Sequence, residues 1–269
     1  MCGRYITVST LKTIEKRFNV KTARPDLYVA NTNISHGTLA PVIASDKPGE
    51  IQFMQFGFTP YWAQKQFYMI NARAEGDHNS ADDPQYTGAM GIINKPMFRQ
   101  SIRSKRCLVI ADAFVEGPKK EKLDKPYLVH LRNKERPFAL AGIWDEWINK
   151  ETGIAVQSFA IITTVANDLM LRIGHHRSPV ILSREQEQDW INPQLALGDV
   201  TSMLLPYDAG KMNAYPIGVA IKNPRNNGLD LLQPIGEPVY KEVDYVMNEE
   251  IKMFGMGETR ARERRQKEK

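Results

Sequence analysis

The sequence predicts an α+β fold: a single domain with a mainly antiparallel, barrel-like β-sheet core flanked by a few helices. Three observations support this prediction. Strand-like runs rich in apolar and β-branched residues outnumber the amphipathic helical segments. The two kinds of segment do not alternate in regular βαβ order, and no internal repeat is present. The 269 residues fit one large domain or two small ones, and 42% hydrophobic residues provide a sizeable core.

The first predicted element is an amphipathic helix over Ser9–Val20, with Ser9 as its cap. Its apolar residues Leu11, Ile14 and Phe18 share one face. Short β-like runs then dominate the chain. The predicted strands are Ala40–Ala44, Ile51–Phe58, Phe67–Ala72, Arg106–Ala111, Tyr127–Leu131, Phe138–Trp144, Val156–Thr164 and Ser178–Leu182.

Two further helices are predicted in the second half of the chain. One covers Val165–Ile173, and the other covers Ser183–Ile191, where Ser183 and Gln186 fit a capping box. The predicted helices are therefore fewer than the predicted strands.

Two polar segments interrupt the strand-like sequence. The segment Glu75–Lys95 predicts a long surface loop, and a loop of that length is either functional or disordered. The segment Pro118–Lys125 predicts a second, charged connection. Strand-like sequence of the same character continues on both sides of each, so neither is an interdomain linker. We therefore expect one domain over residues 1–239 and a charged C-terminal extension over residues 240–269.

The net charge of +5 is unevenly distributed. Residues 258–269 hold six Lys or Arg against three Glu, and the rest of the chain holds 30 basic and 28 acidic residues. We expect the tail to be a solvated end. A net charge of this size does not by itself indicate a nucleic-acid-binding surface, which would need a local basic groove.

The chain has two cysteines, Cys2 and Cys107. Two are too few for a disulfide framework, and no secretory signal or membrane-spanning run is present. These features predict an intracellular protein, which in a bacterium would lie in the cytoplasm or nucleoid. Cys107 lies in an apolar run and is expected in the core.

Cys2 is the most informative residue of the chain. A methionine aminopeptidase removes Met1 ahead of a residue as small as cysteine, which leaves an α-amine and a thiol on adjacent carbons. Their ordinary pKa values are near 8 and 8.5, so both groups are available at neutral pH. Such an aminothiol attacks an amide or ester with its own amine as the base. It also condenses with an aldehyde, first to a Schiff base and then to a thiazolidine.

Three further segments place ionisable residues within strand-like sequence: Asn71–Glu75, Asp112–Glu116 and Gly174–Pro179. Each has an ordinary structural explanation, such as a turn, a surface ion pair between Arg73 and Glu75, or a strand end. The histidines and acids do not have zinc-ligand spacing, and no glycine-rich phosphate loop is present. No metal site and no cofactor are therefore predicted.

Taken together in order, the motifs resemble the SRAP family, the SOS-response-associated peptidase-like proteins that cross-link to abasic sites in DNA. The resemblance runs from Cys2 to about Pro234. The matching segments are Met-Cys-Gly-Arg at Met1–Arg4, Asn-Ala-Arg-Ala-Glu at Asn71–Glu75, Arg-Cys-Leu-Val and an acidic-ended strand at Arg106–Glu116, Ala-Gly-Ile-Trp at Ala141–Trp144, and His-x-Arg-x-Pro-Val-Ile-Leu within His175–Leu182.

The resemblance implies four catalytic residues. Cys2 would bond to C1′ of the ring-opened sugar, and Asn71 would hold Cys2 and the sugar in an attack geometry. Glu116 would be the general acid and base, and His175 would move protons at the sugar hydroxyls. The implied outcome is a thiazolidine cross-link that shields the lesion, with lyase chemistry and self-processing peptidase activity as side reactions.

The resemblance also implies how DNA is held. The partner would be single-stranded DNA with an abasic site, including single-strand/double-strand junctions. The protein would act as a monomer, and no membrane would be involved. Arginines would grip phosphates and an aromatic residue would stack on a base. The implied DNA-binding residues are Gly3, Arg4, Trp62, Arg73 and Arg177. The chain departs from the family pattern at Gly117, where the family has an aromatic residue, and in a longer loop after Glu75.

Three alternatives stay open at this point. One is a glutamine amidotransferase, which also begins Met-Cys-Gly and uses the terminal cysteine as nucleophile. The second is a peptidase that uses Cys2, Glu116 and His175. The third is a non-covalent reader of modified or single-stranded DNA.

Overall fold

The computed structural model describes residues 2–241. The helices are α1 Leu11–Phe18, α2 Ser101–Ser104, α3 Asp168–Arg172, α4 Arg184–Ile191 and α5 Leu197–Ser202. The strands are β1 Arg4–Thr7, β2 Asn31–Ile34, β3 Leu39–Ala44, β4 Ile51–Phe56, β5 Asn71–Arg73, β6 Arg106–Ala111, β7 Ala113–Glu116, β8 Tyr127–Leu131, β9 Phe138–Ile148, β10 Ala155–Val165, β11 Arg177–Pro179, β12 Ile181–Leu182 and β13 Met212–Pro216.

Five strands close into a barrel. Their order is β10-β4-β3-β6-β9, and β9 pairs with β10 to complete the ring. All pairs in the ring are antiparallel except β10 with β4, which is parallel. The long strands β9 and β10 form a hairpin, and β5 adds to β10 in parallel. The predicted α+β fold with a mainly antiparallel, barrel-like core is confirmed.

A second, antiparallel sheet packs against the barrel in the order β13-β8-β7-β1-β2. The chain passes from the barrel to this sheet at Asp112, between β6 and β7. The buried Asp112 carboxylate accepts hydrogen bonds from the backbone N–H groups of Val8 and Ser9, at 2.6 and 2.7 Å. Asp112 thus fixes β1, and with it the start of the chain, relative to the barrel.

The main core cluster lies between the two sheets. The ring of Tyr5 from β1 meets the ring of Phe56 from the barrel edge-on, with centroids 5.4 Å apart, and Phe56 stacks on Phe159 at 5.3 Å. Cys2 and Cys107 both belong to this cluster and are fully buried. The prediction for Cys107 is confirmed, and the burial of Cys2 places the start of the chain against the core.

The helix predictions hold with adjusted ends. The first helix is shorter than Ser9–Val20, and Thr10 caps it instead of Ser9. The hydroxyl of Ser9 donates to Asp112, so it is not available as a cap. The predicted capping box of Ser183 and Gln186 is confirmed at the start of α4. No helix within residues 2–241 is long and apolar enough to cross a membrane.

Strand predictions fail mainly where strands are short. The predicted strand Phe67–Ala72 is wrong except at its end, because only β5 is extended there. The predicted strand Ser178–Leu182 is two short strands, β11 and β12. The predicted surface loop after β5 begins with Glu75, which is fully buried. The strands β1, β2 and β13 and the helices α2 and α5 were not predicted by the periodicity.

The described chain includes the first residues beyond the predicted domain end. The Val239 N–H donates to the carbonyl of Ala214 in β13 at 2.8 Å, so residue 239 is still attached to the second sheet. The Tyr240 N–H donates to Asn213 Oδ1 at 3.0 Å. Residues 242–269, which make up most of the predicted extension, lie outside the described residues.

Candidate functional site

A cleft of about 510 Å³ lies beside the start of the chain. Four segments far apart in sequence form most of its walls: the first residues, the strand β5 with the residue before it, the end of β7 with the loop that follows it, and the turn before β11. These are the segments in which the sequence places ionisable residues within strand-like runs. Sheet pairing brings them together, because β1 pairs with β7 while β5 and β11 both pair with β10.

Asn71 holds the backbone of Cys2. The Asn71 Nδ2 group donates to the Cys2 carbonyl oxygen at 3.1 Å. The amide is fixed because Asn71 begins β5, where it pairs with Ile161 of β10. Its Oδ1 atom is buried and has no hydrogen-bond partner within residues 2–241. Since an unpaired buried acceptor is costly, this oxygen is suited to accept a hydrogen bond from an amine or from a ligand.

The Cys2 thiol is protonated in this environment. Burial, and to a smaller extent the nearby Glu116 carboxylate, raises the pKa of the Cys2 thiol well above its ordinary value. A thiol with a raised pKa is not present as the nucleophilic thiolate at neutral pH. The sulfur therefore needs a base to take its proton at the moment it attacks.

Glu116 and His175 form a buried pair at the floor of the cleft. Glu116 Oε2 lies 3.4 Å from His175 Nε2, and both side chains are 5% exposed. Burial raises the pKa of Glu116 to about 7 and lowers the pKa of His175 to about 3. The imidazole is thus neutral at pH 7, while the carboxyl is poised between its acid and base forms. That poise is what general acid–base catalysis near neutrality requires.

The backbone of Gly117 sets the tautomer of His175. His175 Nδ1 lies 2.6 Å from the Gly117 carbonyl oxygen, so Nδ1 carries the proton and donates it to that carbonyl. Nε2 is then the acceptor that faces Glu116, and it can accept a hydrogen bond from the protonated carboxyl. The adjacent residues Glu116 and Gly117 thus hold both nitrogens of one imidazole.

Gly117 is required by the loop that follows it. A Cβ atom at this position would lie 1.7 Å from the Lys122 carbonyl oxygen and 3.0 Å from the Lys125 carbonyl oxygen. The charged connection Pro118–Lys125 therefore folds back over Gly117 and occupies the space that a side chain at this position would need. This close approach is the physical reason for glycine at a position where an aromatic residue was expected. It also brings Lys119 and Lys122 to the cleft.

The rim of the cleft is basic. Arg4, Arg73, Lys119 and Lys122 all line it, together with Gly3. Arg4 is anchored, because its Nη2 group donates to the Lys222 carbonyl oxygen at 3.0 Å. Such a rim supplies the local basic groove that the net charge alone did not establish.

Arg177 does not line the cleft. Its side chain is 1% exposed, and Nη2 lies 2.7 Å from Glu75 Oε2 and 2.9 Å from the Thr163 carbonyl oxygen. The phosphate contact of Arg177 therefore stays a prediction, and the structure does not favour it, because the guanidinium is buried and its Nη2 group is already paired with Glu75. The ordinary alternative for this segment, a surface pair of Arg73 and Glu75, is not what the structure shows: Glu75 pairs with Arg177, and Arg73 pairs with Asp82 at 2.8 Å.

Arg177→Met is expected to lower the free energy of unfolding by about 3–5 kcal/mol, because Glu75 would be left buried without its cation. Urea denaturation of both proteins measures this loss. Arg73→Met is the matched control: its pair with Asp82 is nearer the surface, and we expect a cost of about 1 kcal/mol or less. Weakened DNA binding by Arg177→Met without a loss of stability would support the phosphate contact.

Trp62 lies on the surface but not in the cleft lining. Trp62 is 46% exposed and lies in the turn after Phe58, within the segment that the bridge between Phe58 and Met69 closes. The structure thus leaves Trp62 accessible for stacking at a distance from the Glu116–His175 pair. Nearer the cleft, the exposed ring of Tyr68 contacts the ring of His36, with centroids 5.9 Å apart.

Sequence reasoning missed several residues that line the cleft: His36, Lys119, Lys122 and His176. The lysine-rich composition of the connection Pro118–Lys125, directly after Glu116, was a usable signal for the two lysines. Nothing in the local sequence marked His36, which reaches the cleft only because β2 pairs with β1.

Comparison with known proteins gives a consistent result. The family model described as SOS response associated peptidase (SRAP) matches residues 1–224. The chain is 32% identical over 240 residues to the abasic site processing protein YoqW of Bacillus subtilis, which covers 87% of this chain and 99% of YoqW. It is 32% identical over 241 residues to the abasic site processing protein YoaM of the same organism, over 86% of this chain and 97% of YoaM.

The fold comparison agrees with the sequence comparison. A crystal structure of a protein from Bacteroides thetaiotaomicron superposes with a TM-score of 0.70 at 28% identity. The match covers 84% of this chain and 97% of that protein. The barrel and the second sheet thus form an arrangement that this chain shares with a solved structure.

Proposed function

Because the chain belongs to the SOS response associated peptidase (SRAP) family, we propose that it processes abasic sites in DNA by capturing the sugar aldehyde at Cys2. Relatives that match nearly their whole length are named abasic site processing proteins. The observation that carries the proposal is the position of Cys2: Asn71 holds its carbonyl, and the Glu116–His175 pair lines the cleft next to it.

The first step is condensation at the α-amine, after removal of Met1. The thiol of Cys2 is protonated, so the amine, with an ordinary pKa near 8, is the better first nucleophile. It adds to the C1′ carbonyl of the ring-opened sugar and gives a carbinolamine. Protonated Glu116 then donates a proton to the carbinolamine hydroxyl, which leaves as water and produces an iminium ion.

The second step closes the ring through sulfur. The Cys2 sulfur attacks C1′, its proton passes to the Glu116 carboxylate, and the electron pair of the C=N bond returns to nitrogen. The products are a thiazolidine and one water molecule, and Glu116 ends in the protonated form in which it began. His175, neutral and fixed by Gly117, accepts a hydrogen bond from the Glu116 acid and keeps it oriented.

The cleft suits DNA that is locally single-stranded. An abasic site has no base to be extruded, so the sugar can reach the cleft floor without the cost of unstacking. The basic rim of Arg4, Arg73, Lys119 and Lys122 follows the phosphates on either side of the sugar. Closure of the ring removes the iminium ion, which would otherwise favour β-elimination and strand cleavage, so lyase activity is the side reaction of an unclosed intermediate.

The test is an adduct assay. Protein whose intact mass shows the loss of Met1 is incubated with a single-stranded oligonucleotide that carries one abasic site, and the mixture is heated in SDS and run on a gel. We expect a heat-stable adduct, and mass spectrometry of the adducted peptide should locate it at Cys2. A matched oligonucleotide with a tetrahydrofuran residue, which lacks the aldehyde, should give none. An adduct on a lysine, or no adduct at all, would contradict the proposal.

A further inference from the structure

One carboxylate, Asp82, sits among the cations of the cleft wall. Asp82 Oδ1 lies 2.8 Å from Arg73 Nη2, and Asp82 Oδ2 lies 3.3 Å from Lys119 Nζ. His176 Nε2 lies 3.7 Å from Oδ2, and Arg177 Nη1 lies 4.0 Å from Oδ1. These four partners come from β5, from the connection after β7, and from the turn and strand at β11, so Asp82 contacts residues from three of the segments that form the cleft.

The long loop after β5 presents this carboxylate. Asn79, which is buried, is tied in both directions to Asp83: its Nδ2 donates to the Asp83 carbonyl, and its Oδ1 accepts from the Asp83 N–H. The Asn79 carbonyl accepts from Arg73 Nη1 at 2.9 Å. Asp82 itself has a φ of 58°, a left-handed conformation that Asp and Asn tolerate better than most residues. The loop is thus built to point one side chain at Arg73.

The partners of Asp82 are cleft residues. Arg73, Lys119 and His176 all line the cleft, while the Asp82 side chain is only 10% exposed. A carboxylate that two cations contact at about 3 Å occupies the place of a phosphate oxygen pair. In the DNA-free protein the charges of Arg73 and Lys119 are therefore already neutralised by a residue of the same chain.

We infer that Asp82 is an internal counterion that occupies a backbone-phosphate subsite at Arg73 and Lys119, and that single-stranded DNA displaces it. The inference rests on the proposed function and adds to it: the loop after β5 becomes the element that sets how strongly Arg73 and Lys119 hold the DNA backbone. A phosphodiester that enters between Arg73 and Lys119 replaces the negative charge of Asp82 by its own. The net affinity of this subsite for DNA is therefore the attraction of the two cations to the phosphate minus their attraction to Asp82.

The test compares two substitutions in the same loop. Asp82→Asn removes the counterion and keeps a residue that tolerates the left-handed backbone. Asp83→Asn is the matched control: it changes the net charge by the same amount, and Asp83 is exposed. The Asp83 side chain accepts from the Gln85 N–H at 2.9 Å, a contact that asparagine also makes. Binding of an intact single-stranded oligonucleotide without an abasic site is measured by fluorescence anisotropy at fixed, low salt.

We expect Asp82→Asn to bind the intact oligonucleotide about tenfold more tightly than the wild type, and Asp83→Asn to differ from the wild type by less than about twofold. In an Arg73→Ala background the gain from Asp82→Asn should shrink, because one of the two cations that Asp82 neutralises is gone. Equal binding by Asp82→Asn and Asp83→Asn would overturn the inference. Weaker binding by Asp82→Asn would also overturn it and would make Asp82 a positioning residue for Arg73.

The binding comparison of the two loop variants tests the counterion independently of the proposed function. Intact DNA has no aldehyde, so the binding measurement does not depend on Cys2 chemistry. A wild-type protein that forms no adduct with abasic DNA contradicts the capture reaction, whereas equal affinities of the two loop variants contradict only the counterion.

Discussion

Cys2→Ala is expected to abolish the SDS-resistant adduct with abasic single-stranded DNA. Alanine keeps the α-amine, so a Schiff base can still form, but no sulfur is present to close the ring, and an unreduced Schiff base hydrolyses on heating. The gel assay with wild-type and variant protein, both with Met1 removed, measures this loss. Binding of intact oligonucleotide should change little, because Cys2 is buried and the basic rim is retained.

Two variants serve as controls for Cys2→Ala. Cys2→Ser should give at most a weak adduct that borohydride strengthens, because serine keeps the amine but closes a ring poorly. Cys107→Ala removes the other buried thiol of the same core cluster and should keep the adduct, at a stability cost of about 1–2 kcal/mol. A heat-stable adduct of Cys2→Ala in wild-type yield would show that the sulfur takes no part in the linkage.

Glu116→Gln is expected to slow adduct formation by about 10²–10⁴-fold, the usual contribution of a positioned acid and base. Glutamine fills the same space but can neither donate the proton that expels water nor accept the proton of the thiol. Single-turnover gel kinetics measure the rate. Glu121→Gln, in the charged connection that follows β7 but outside the cleft lining, is the control and should react at the wild-type rate. A rate for Glu116→Gln that equals the wild-type rate would remove Glu116 from the mechanism.

The pH dependence gives an independent readout of Glu116. With a pKa of about 7, the carboxyl loses its proton as the pH rises through 7, so dehydration slows on the alkaline side. On the acid side the rate falls because the amine becomes protonated. The wild type should therefore show a bell-shaped profile between these limits. Glu116→Gln should lose the alkaline decline, and an unchanged profile would contradict the assignment.

The same pKa predicts a change in stability with a definite sign. The folded-state pKa of Glu116 is raised from its ordinary value of 4.5 to about 7, so between these pH values the folded state binds more protons than the unfolded state. The free energy of unfolding therefore falls as the pH rises from about 4.5 to 7 and stays low above that. Glu116→Gln lacks this loss and should unfold at a higher urea concentration than the wild type at pH 8.

Much of the fold follows from local sequence. The strands Arg106–Ala111 and Tyr127–Leu131 have the bounds that their apolar and β-branched residues predicted. The capping box at Ser183 and Gln186 depends only on residues three apart. The strand β5 was misplaced, because its three residues are extended only through pairing with β10, and no pattern of that length is distinguishable from a turn.

The chemistry of the site likewise depends partly on local sequence and partly on tertiary structure. An aminothiol at Cys2 and the ordered motifs around Asn71, Glu116 and His175 are properties of the chain, and they predicted the segments that line the cleft. The burial of Arg177 beside Glu75 was not predicted, because residue identity shows the charge of a side chain but not its solvent exposure. The raised pKa of Glu116 is likewise a consequence of burial, which no local pattern contains.

The sequence by itself determined the reactive groups, the family and the kind of fold, because each depends on residue identity and short-range spacing. Only the tertiary structure decided which charges face the cleft. The tertiary fold buries Arg177, brings the backbone of Lys122 over Gly117 and sets Asp82 against Arg73. These contacts join residues that are distant along the chain. Their strength depends on burial, because the fold excludes the water that would otherwise screen the charges.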